Sequence, residues 1–142
     1  MDVKKTRIFS IAAILVAWAL ALITFWCVMA PTDALGYSLL FFYGVFPVLA
    51  FVISALNSYS SGIEVRLLIL PVVFAIFTPL LQYFTFILAN AIACNKDFLQ
   101  ALIGMVDEDF ISTLLLSSIP SVIGLAFGLL ARGIKNICAK RK

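Results

Sequence analysis

The chain has 142 residues, of which 64% are hydrophobic and only 12% are charged. Its mean hydropathy of +1.16 excludes intrinsic disorder, and a soluble fold of this length has too little interior to cover the apolar surface. The net charge is +3, and the sequence contains no histidine, the commonest metal ligand and general base. The composition predicts one integral membrane domain that covers residues 1–142.

Four stretches without a charged residue predict the membrane-spanning helices. They have 23, 22, 27 and 22 residues and cover 8–30, 35–56, 67–93 and 110–131. Each reaches the roughly 20 residues that a helix needs to cross about 30 Å of hydrocarbon. Because lipid offers no partner for backbone polar groups, each stretch is expected to be helical. The sequence therefore predicts an all-α integral membrane protein, a bundle of four transmembrane helices.

Polar residues and prolines mark where these helices end or bend. The segment 57–62, with the sequence Asn-Ser-Tyr-Ser-Ser-Gly, predicts a polar loop after the second span. Ser61 and Glu64 have the spacing of a capping box, which predicts a helix that starts near Gly62. Prolines within the second, third and fourth spans are expected to bend them. They are Pro47, Pro79 and Pro120.

The longest connection, residues 94–109, joins the third and fourth spans. Asp97 is placed to cap a helix that runs to Val106, with apolar residues on one broad arc. This pattern predicts a short interfacial helix on the outer membrane surface, and a folded loop is the alternative. Cys27 and Cys94 both lie near the predicted outer face, and the sequence leaves open whether they pair.

Basic residues set the predicted orientation. Nine of the ten lysines and arginines precede the first span, follow the fourth, or lie between the second and third, and only Lys96 lies on the other side. Cytoplasmic loops of membrane proteins carry an excess of lysine and arginine. The protein is therefore predicted to lie in the cell membrane with both termini in the cytoplasm. Because these cations flank membrane spans, they predict contact with membrane lipid and no nucleic-acid partner.

Each span carries a stripe of small and weakly polar residues at spacings of three and four, which keeps them on one helix face. Such residues allow close backbone approach in a membrane. The predicted helix-packing residues are Ala13, Ala17, Ala21, Gly124 and Gly128. The two glycines form a GxxxG pair, which serves either packing within one chain or pairing between chains. The stripe of the second span comprises Gly36, Tyr43, Pro47, Ala50, Ser54 and Asn57.

Polar side chains near the middle of the third and fourth spans are the candidate binding residues. They are Thr78, Gln82, Thr85, Ser117 and Ser121. Two interpretations stay open: these residues line a narrow polar cavity, or they only form a packing interface. An amide in hydrocarbon is costly without a partner, so Gln82 is expected to face the interior.

The chemistry of the spans limits the possible functions. None contains Asp, Glu, Lys, Arg or His, so a proton relay or a charged-substrate site inside the bundle is not expected. Since no zinc motif, phosphate loop or nucleophile–base pattern is present, the sequence predicts no enzyme, cofactor or metal site. The leading hypothesis is an accessory or assembly subunit that binds its own copies or other membrane subunits through helix–helix contacts. The alternative is a transporter or channel component for a neutral or apolar solute, lined by the third and fourth spans.

Overall fold

The computed structural model describes residues 3–28, 34–93 and 110–140, and 97% of these residues are helical, with no strand among them. The α-helices are α1 (Val3–Val28), α2 (Ala34–Leu40), α3 (Phe46–Ser61), α4 (Ile69–Gln82), α5 (Leu88–Ala93) and α6 (Phe110–Lys140). A π-helical turn joins α2 to α3, a second joins α4 to α5, and a 3-10 turn precedes α4. These turns are Phe41–Val45, Tyr83–Ile87 and Val65–Leu68.

The four predicted spans correspond to four helical segments, which confirms the all-helical fold and the helix count. Three helices are long and apolar enough to cross a membrane, namely Val3–Cys27, Phe41–Ser61 and Leu114–Ala139. The fourth apolar helix, Ile69–Thr85, is shorter than these three. The predicted interfacial helix after Asp97, like Cys94, lies outside the described residues.

The second and fourth segments extend beyond their predicted ends. α3 continues through residues 57–61, where the sequence predicted a loop, and ends at Gly62. Asn57 and Ser58 are buried there, so tertiary contacts hold these polar residues in helical conformation. α6 likewise continues to Lys140 and does not end near Ala131 as predicted.

The predicted capping box of Ser61 and Glu64 does not form. The carboxylate of Glu64 accepts a hydrogen bond from the guanidinium of Arg7. The next helical turn starts only at Val65, and the buried hydroxyl of Ser61 has no hydrogen-bond partner among the described residues. A charge-assisted bond to a distant arginine thus replaces the local cap, because such bonds are stronger than neutral ones.

The helices surround α3. α3 shares its largest interface with α6, and α1 and α4 also contact it. One apolar core cluster comprises Ile14, Ala50, Ile53 and Phe74, and a second comprises Ala21, Phe46 and Leu81. Both clusters therefore join α1, α3 and α4, while α6 covers α3 and α4 as a further layer.

Polar contacts gather at the end of the bundle where α3 ends. Arg7 pairs with Glu64 there, and Nη1 of Arg132 donates to the backbone oxygen of Ser60 over 3.1 Å. The ammonium of Lys135 lies 5.4 Å from the ring centre of Tyr59. The start of α1 and the last turns of α6 therefore lie at the same end of the bundle.

The two π turns lie next to prolines. Phe41–Val45 ends just before Pro47, and Tyr83–Ile87 follows α4, which contains Pro79. α6 continues through Pro120. The carbonyl of Phe84, in the second π turn, accepts a hydrogen bond of 3.1 Å from the Trp26 indole on α1. The π turn thus contributes a backbone acceptor that joins the third segment to the first.

Candidate functional site

The two glycines of the GxxxG pair lie against the backbone of α3. A Cβ atom at Gly124 would overlap the carbonyl of Phe51, and one at Gly128 would overlap the carbonyl of Ala55. Only glycine permits this approach, so the pair serves the contact between α3 and α6 within one chain. A Cβ atom at Gly133, farther along α6, would meet no atom within 4 Å.

A buried hydrogen bond lies beside these glycines. The hydroxyls of Ser54 on α3 and Ser121 on α6 are 2.6 Å apart, and both side chains are fully buried. This bond satisfies both hydroxyls in an apolar surrounding. Ser121 is therefore committed to the helix interface.

A cavity of about 260 Å³ opens where α6 separates from the second helical segment. This central cavity lies among three of the four helical segments and is bordered by residues 42–47, 78–82 and 116–120. Its lining residues are Phe42, Tyr43, Phe46, Pro47, Thr78, Gln82, Leu116, Ser117, Ile119 and Pro120. Three of the five candidate binding residues thus line one cavity.

The polar side chains of this cavity differ in whether they have a hydrogen-bond partner. Ser117 donates to the backbone oxygen of Leu114 over 3.2 Å. Thr78 is buried and Gln82 is half-buried, and neither side chain forms a hydrogen bond with another described residue. The Gln82 amide offers two donors and one acceptor oxygen. It is the largest unused hydrogen-bonding group of the cavity.

Two prolines beside the cavity lack a backbone donor. Pro120 has no N–H to donate to the carbonyl of Leu116, and Pro47 has none for the carbonyl of Tyr43. All four residues line the cavity. Among the described residues, the lining thus carries hydroxyl and amide side chains and no carboxylate or amine, which suits a neutral hydrogen-bonding partner.

The mouth of the cavity opens to the side of the bundle. Tyr43 and Leu116, which line the cavity from different helical segments, are 67% and 55% exposed, and Ile119 is also exposed. Sequence reasoning placed Tyr43, like Gly36, on an interior stripe, and this prediction is wrong because both residues are exposed. The π turn that contains Tyr43 adds a residue per turn, which rotates this part of the helix relative to α3.

The other two candidate binding residues have local partners. Thr85 is buried and donates to the backbone oxygen of Leu81 over 2.8 Å, and Ser121 pairs with Ser54. Neither lines the cavity. Whether such a residue lines the cavity depends on which helices pack together. A helical wheel of one segment does not show this, so the sequence could not separate these two residues from Thr78, Gln82 and Ser117.

The alanine stripe of α1 faces the bundle. Ala21 is fully buried against Phe46 and Leu81, Ala13 packs against the first core cluster, and Ala17 is half-buried. Small side chains at these positions let α1 pack against α3 and against side chains of α4.

Within the part of the chain that the structure describes, no group of three cysteine or carboxylate side chains could hold a metal ion. Cys27 and Cys138 are both exposed. No family model matches the chain, and neither a curated protein nor a solved structure resembles it significantly.

Proposed function

We propose that this protein is a non-enzymatic multi-pass membrane protein that acts as an accessory or assembly subunit. Its helices would cross a cell membrane with both termini in the cytoplasm, and its partners would be copies of itself or other membrane subunits. Contact would occur through helices in the membrane, at the mouth of the central cavity.

The observation that carries the proposal is the set of polar groups at this mouth. Tyr43 is mostly exposed and Gln82 is half-buried, and both belong to apolar helices. In hydrocarbon, an unpaired hydroxyl or amide costs on the order of 2–7 kcal/mol by transfer estimates. A partner helix that supplies a hydrogen-bonding side chain would remove this penalty.

The outer faces of the bundle are consistent with a contact confined to this mouth. α1 exposes Ile8, Leu15, Val16, Leu20 and Ile23, all apolar. Such a surface is fully compatible with lipid chains and offers a partner no hydrogen bond. The glycine pair of α6 already packs against α3 of the same chain, so we do not assign it to contact between chains.

Site-specific photo-crosslinking in native membranes tests the proposal. A photoreactive residue at Tyr43 or Leu116 should crosslink to protein, because the partner covers the mouth. The controls are Val16 and Ile23, which are similarly exposed on α1 and should crosslink to lipid. An adduct of twice the chain mass would identify a second copy as the partner. An adduct of any other mass would identify a different subunit. Crosslinking of all four positions to lipid alone would refute the proposal.

The size of the cavity favours a second candidate function, a binding site for a neutral solute in a transporter or channel. A volume of about 260 Å³ admits a small organic molecule, and Thr78, Gln82 and Ser117 would bind its polar groups. Under this function, Gln82→Leu should abolish solute uptake into proteoliposomes while expression is retained. Uptake unchanged by this variant would exclude the cavity as the route.

A further inference from the structure

A second cavity, of about 320 Å³, lies between α1 and α4, with the end of α3 as its floor. Arg7, Ser10 and Asn57 line it near the polar end of the bundle, and Ile14, Leu70 and Val73 line it farther inside. Arg7 and Ile14 are about 10 Å apart along the helix at 1.5 Å per residue. The groove thus has a polar entrance and an apolar interior.

Most polar groups of the entrance are already satisfied. Nδ2 of Asn57 donates to Oγ of Ser10 over 2.6 Å and to the backbone oxygen of Ile53 over 2.8 Å. Oγ of Ser10 donates in turn to the backbone oxygen of Thr6 over 2.8 Å. Both hydrogens of the Asn57 amide and the hydroxyl hydrogen of Ser10 are therefore used, and neither residue offers a donor to a ligand.

Arg7 is the group with donors to spare. A guanidinium carries five N–H donors, and Nη2 of Arg7 bonds to the Glu64 carboxylate, the one hydrogen-bond partner that the described residues provide. About one third of the Arg7 side chain is exposed. Since the apolar run of α1 starts at the next residue, the guanidinium lies at the border between apolar and polar surface.

The start of α1 is rich in basic residues. Lys4 and Lys5 precede Arg7 within the first two turns of this helix, and both are exposed. Glu64 is the carboxylate that pairs with Arg7. A cation with free planar donors near other basic residues suits a phosphate group, which guanidinium binds through two parallel hydrogen bonds.

We propose that this groove binds an anionic phospholipid. The lipid phosphate would bind Arg7, and one acyl chain would lie along Ile14, Leu70 and Val73. The inference rests on the membrane location assumed under the proposed function, and not on the partner at the central cavity, which other residues line.

Two variants that break the same ion pair separate lipid binding from a structural role. Arg7→Gln removes the phosphate ligand, whereas Glu64→Gln removes the competitor and leaves the guanidinium in place. Native mass spectrometry of the full chain in mild detergent would measure the affinities for phosphatidylglycerol and phosphatidylcholine. We expect Arg7→Gln to weaken phosphatidylglycerol binding about tenfold. Glu64→Gln should bind it as tightly as wild type or more tightly.

Equal losses in Arg7→Gln and Glu64→Gln would show that the pair is only structural and would overturn the proposal. Equal affinity of the wild-type chain for the two lipids would overturn it as well. Lys135→Gln, which removes an exposed cation away from the groove, is the matched control and should leave both affinities unchanged.

The acyl-chain part of the proposal has its own test, which also holds if Arg7→Gln does not fold. Val73→Trp should fill the groove and lower binding of both phospholipids, while inorganic phosphate should not compete with them at equal concentration. Undiminished phosphatidylglycerol binding by Val73→Trp, or displacement by inorganic phosphate, would contradict an acyl chain in the groove. Crosslinking at Leu116 in the same variant would report on the central cavity separately.

Discussion

Ser54 and Ser121 face each other across the interface of α3 and α6, with hydroxyl oxygens 2.6 Å apart and no solvent exposure of either side chain. They are separated by 67 positions in the sequence. Gly124 follows Ser121 by one turn and lies against Phe51 of the same helix partner. The interface of α3 and α6 therefore combines a buried hydrogen bond with a close approach of the two helix backbones.

The serine pair should contribute a small but measurable coupling energy. Hydrogen bonds between membrane helices average about 0.6 kcal/mol, because the unfolded chain in the membrane also finds partners. Wild type, Ser54→Ala, Ser121→Ala and the double variant form a cycle, and steric trapping in bicelles would give the four unfolding free energies. We expect a coupling of about 0.6 kcal/mol. Strict additivity of the two single variants would contradict a bond between them.

Alanine at Gly124 or Gly128 should destabilise the bundle. The added Cβ atom would overlap a backbone carbonyl of α3, which cannot move aside as a flexible side chain can. Overpacking of this kind costs about 1–3 kcal/mol. Gly133→Ala is the matched control on the same helix, where the added atom meets open space. The same unfolding assay should show Gly133→Ala at or above wild-type stability, and equal losses at all three glycines would contradict the close approach.

Gly62 should not tolerate alanine. Its φ of 80° and ψ of −151° lie in a region that only glycine occupies readily, and an added Cβ would lie 2.6 Å from Nη1 of Arg132. Strain at such a position costs on the order of 1–3 kcal/mol. Gly36→Ala, with open space around it, is the control. Thermal unfolding in detergent should separate the two variants, and identical midpoints would contradict the Gly62 geometry.

The orientation has a labelling test. In a background without native cysteines, a cysteine at Ile63 should react with an impermeant maleimide only after the membrane is opened. Ile63 is 91% exposed at the polar end of the bundle. A cysteine at Gln100, in the predicted outer connection, should react in intact cells. Labelling of both from the same side would contradict either the four-span topology or the connection.

Much of the bundle was predictable because it depends on composition. Charge-free stretches of sufficient length predict long apolar helices without knowledge of their neighbours, because each has the composition that a helix needs to cross lipid. The small residues of α1 and α6 were likewise readable from spacing, as Ala21 and Gly124 illustrate. Both are buried in the structure.

The exact helix ends and the residues at the mouth of the central cavity were not predictable from the sequence, because both depend on contacts between distant residues. Asn57 remains helical through its bond to Ser10, which is 47 positions away. Glu64 is diverted from its local cap by Arg7. Tyr43 was misplaced because a π turn breaks the 3.6-residue period on which a helical wheel depends.

The role of Gln82 at the mouth is tested most directly by comparing Gln82→Leu with Thr85→Val. Both variants remove a polar side chain from the third helical segment, but Thr85 is bonded to its own helix and does not line the cavity. The measurement is the yield of protein adduct from a photoreactive residue at Leu116 in native membranes, at equal expression. Gln82→Leu should lower this yield roughly threefold to twentyfold, the range that interhelical hydrogen bonds support, and Thr85→Val should leave it unchanged. An undiminished yield in Gln82→Leu, or an equal loss in both variants, would contradict a partner bound at the cavity mouth.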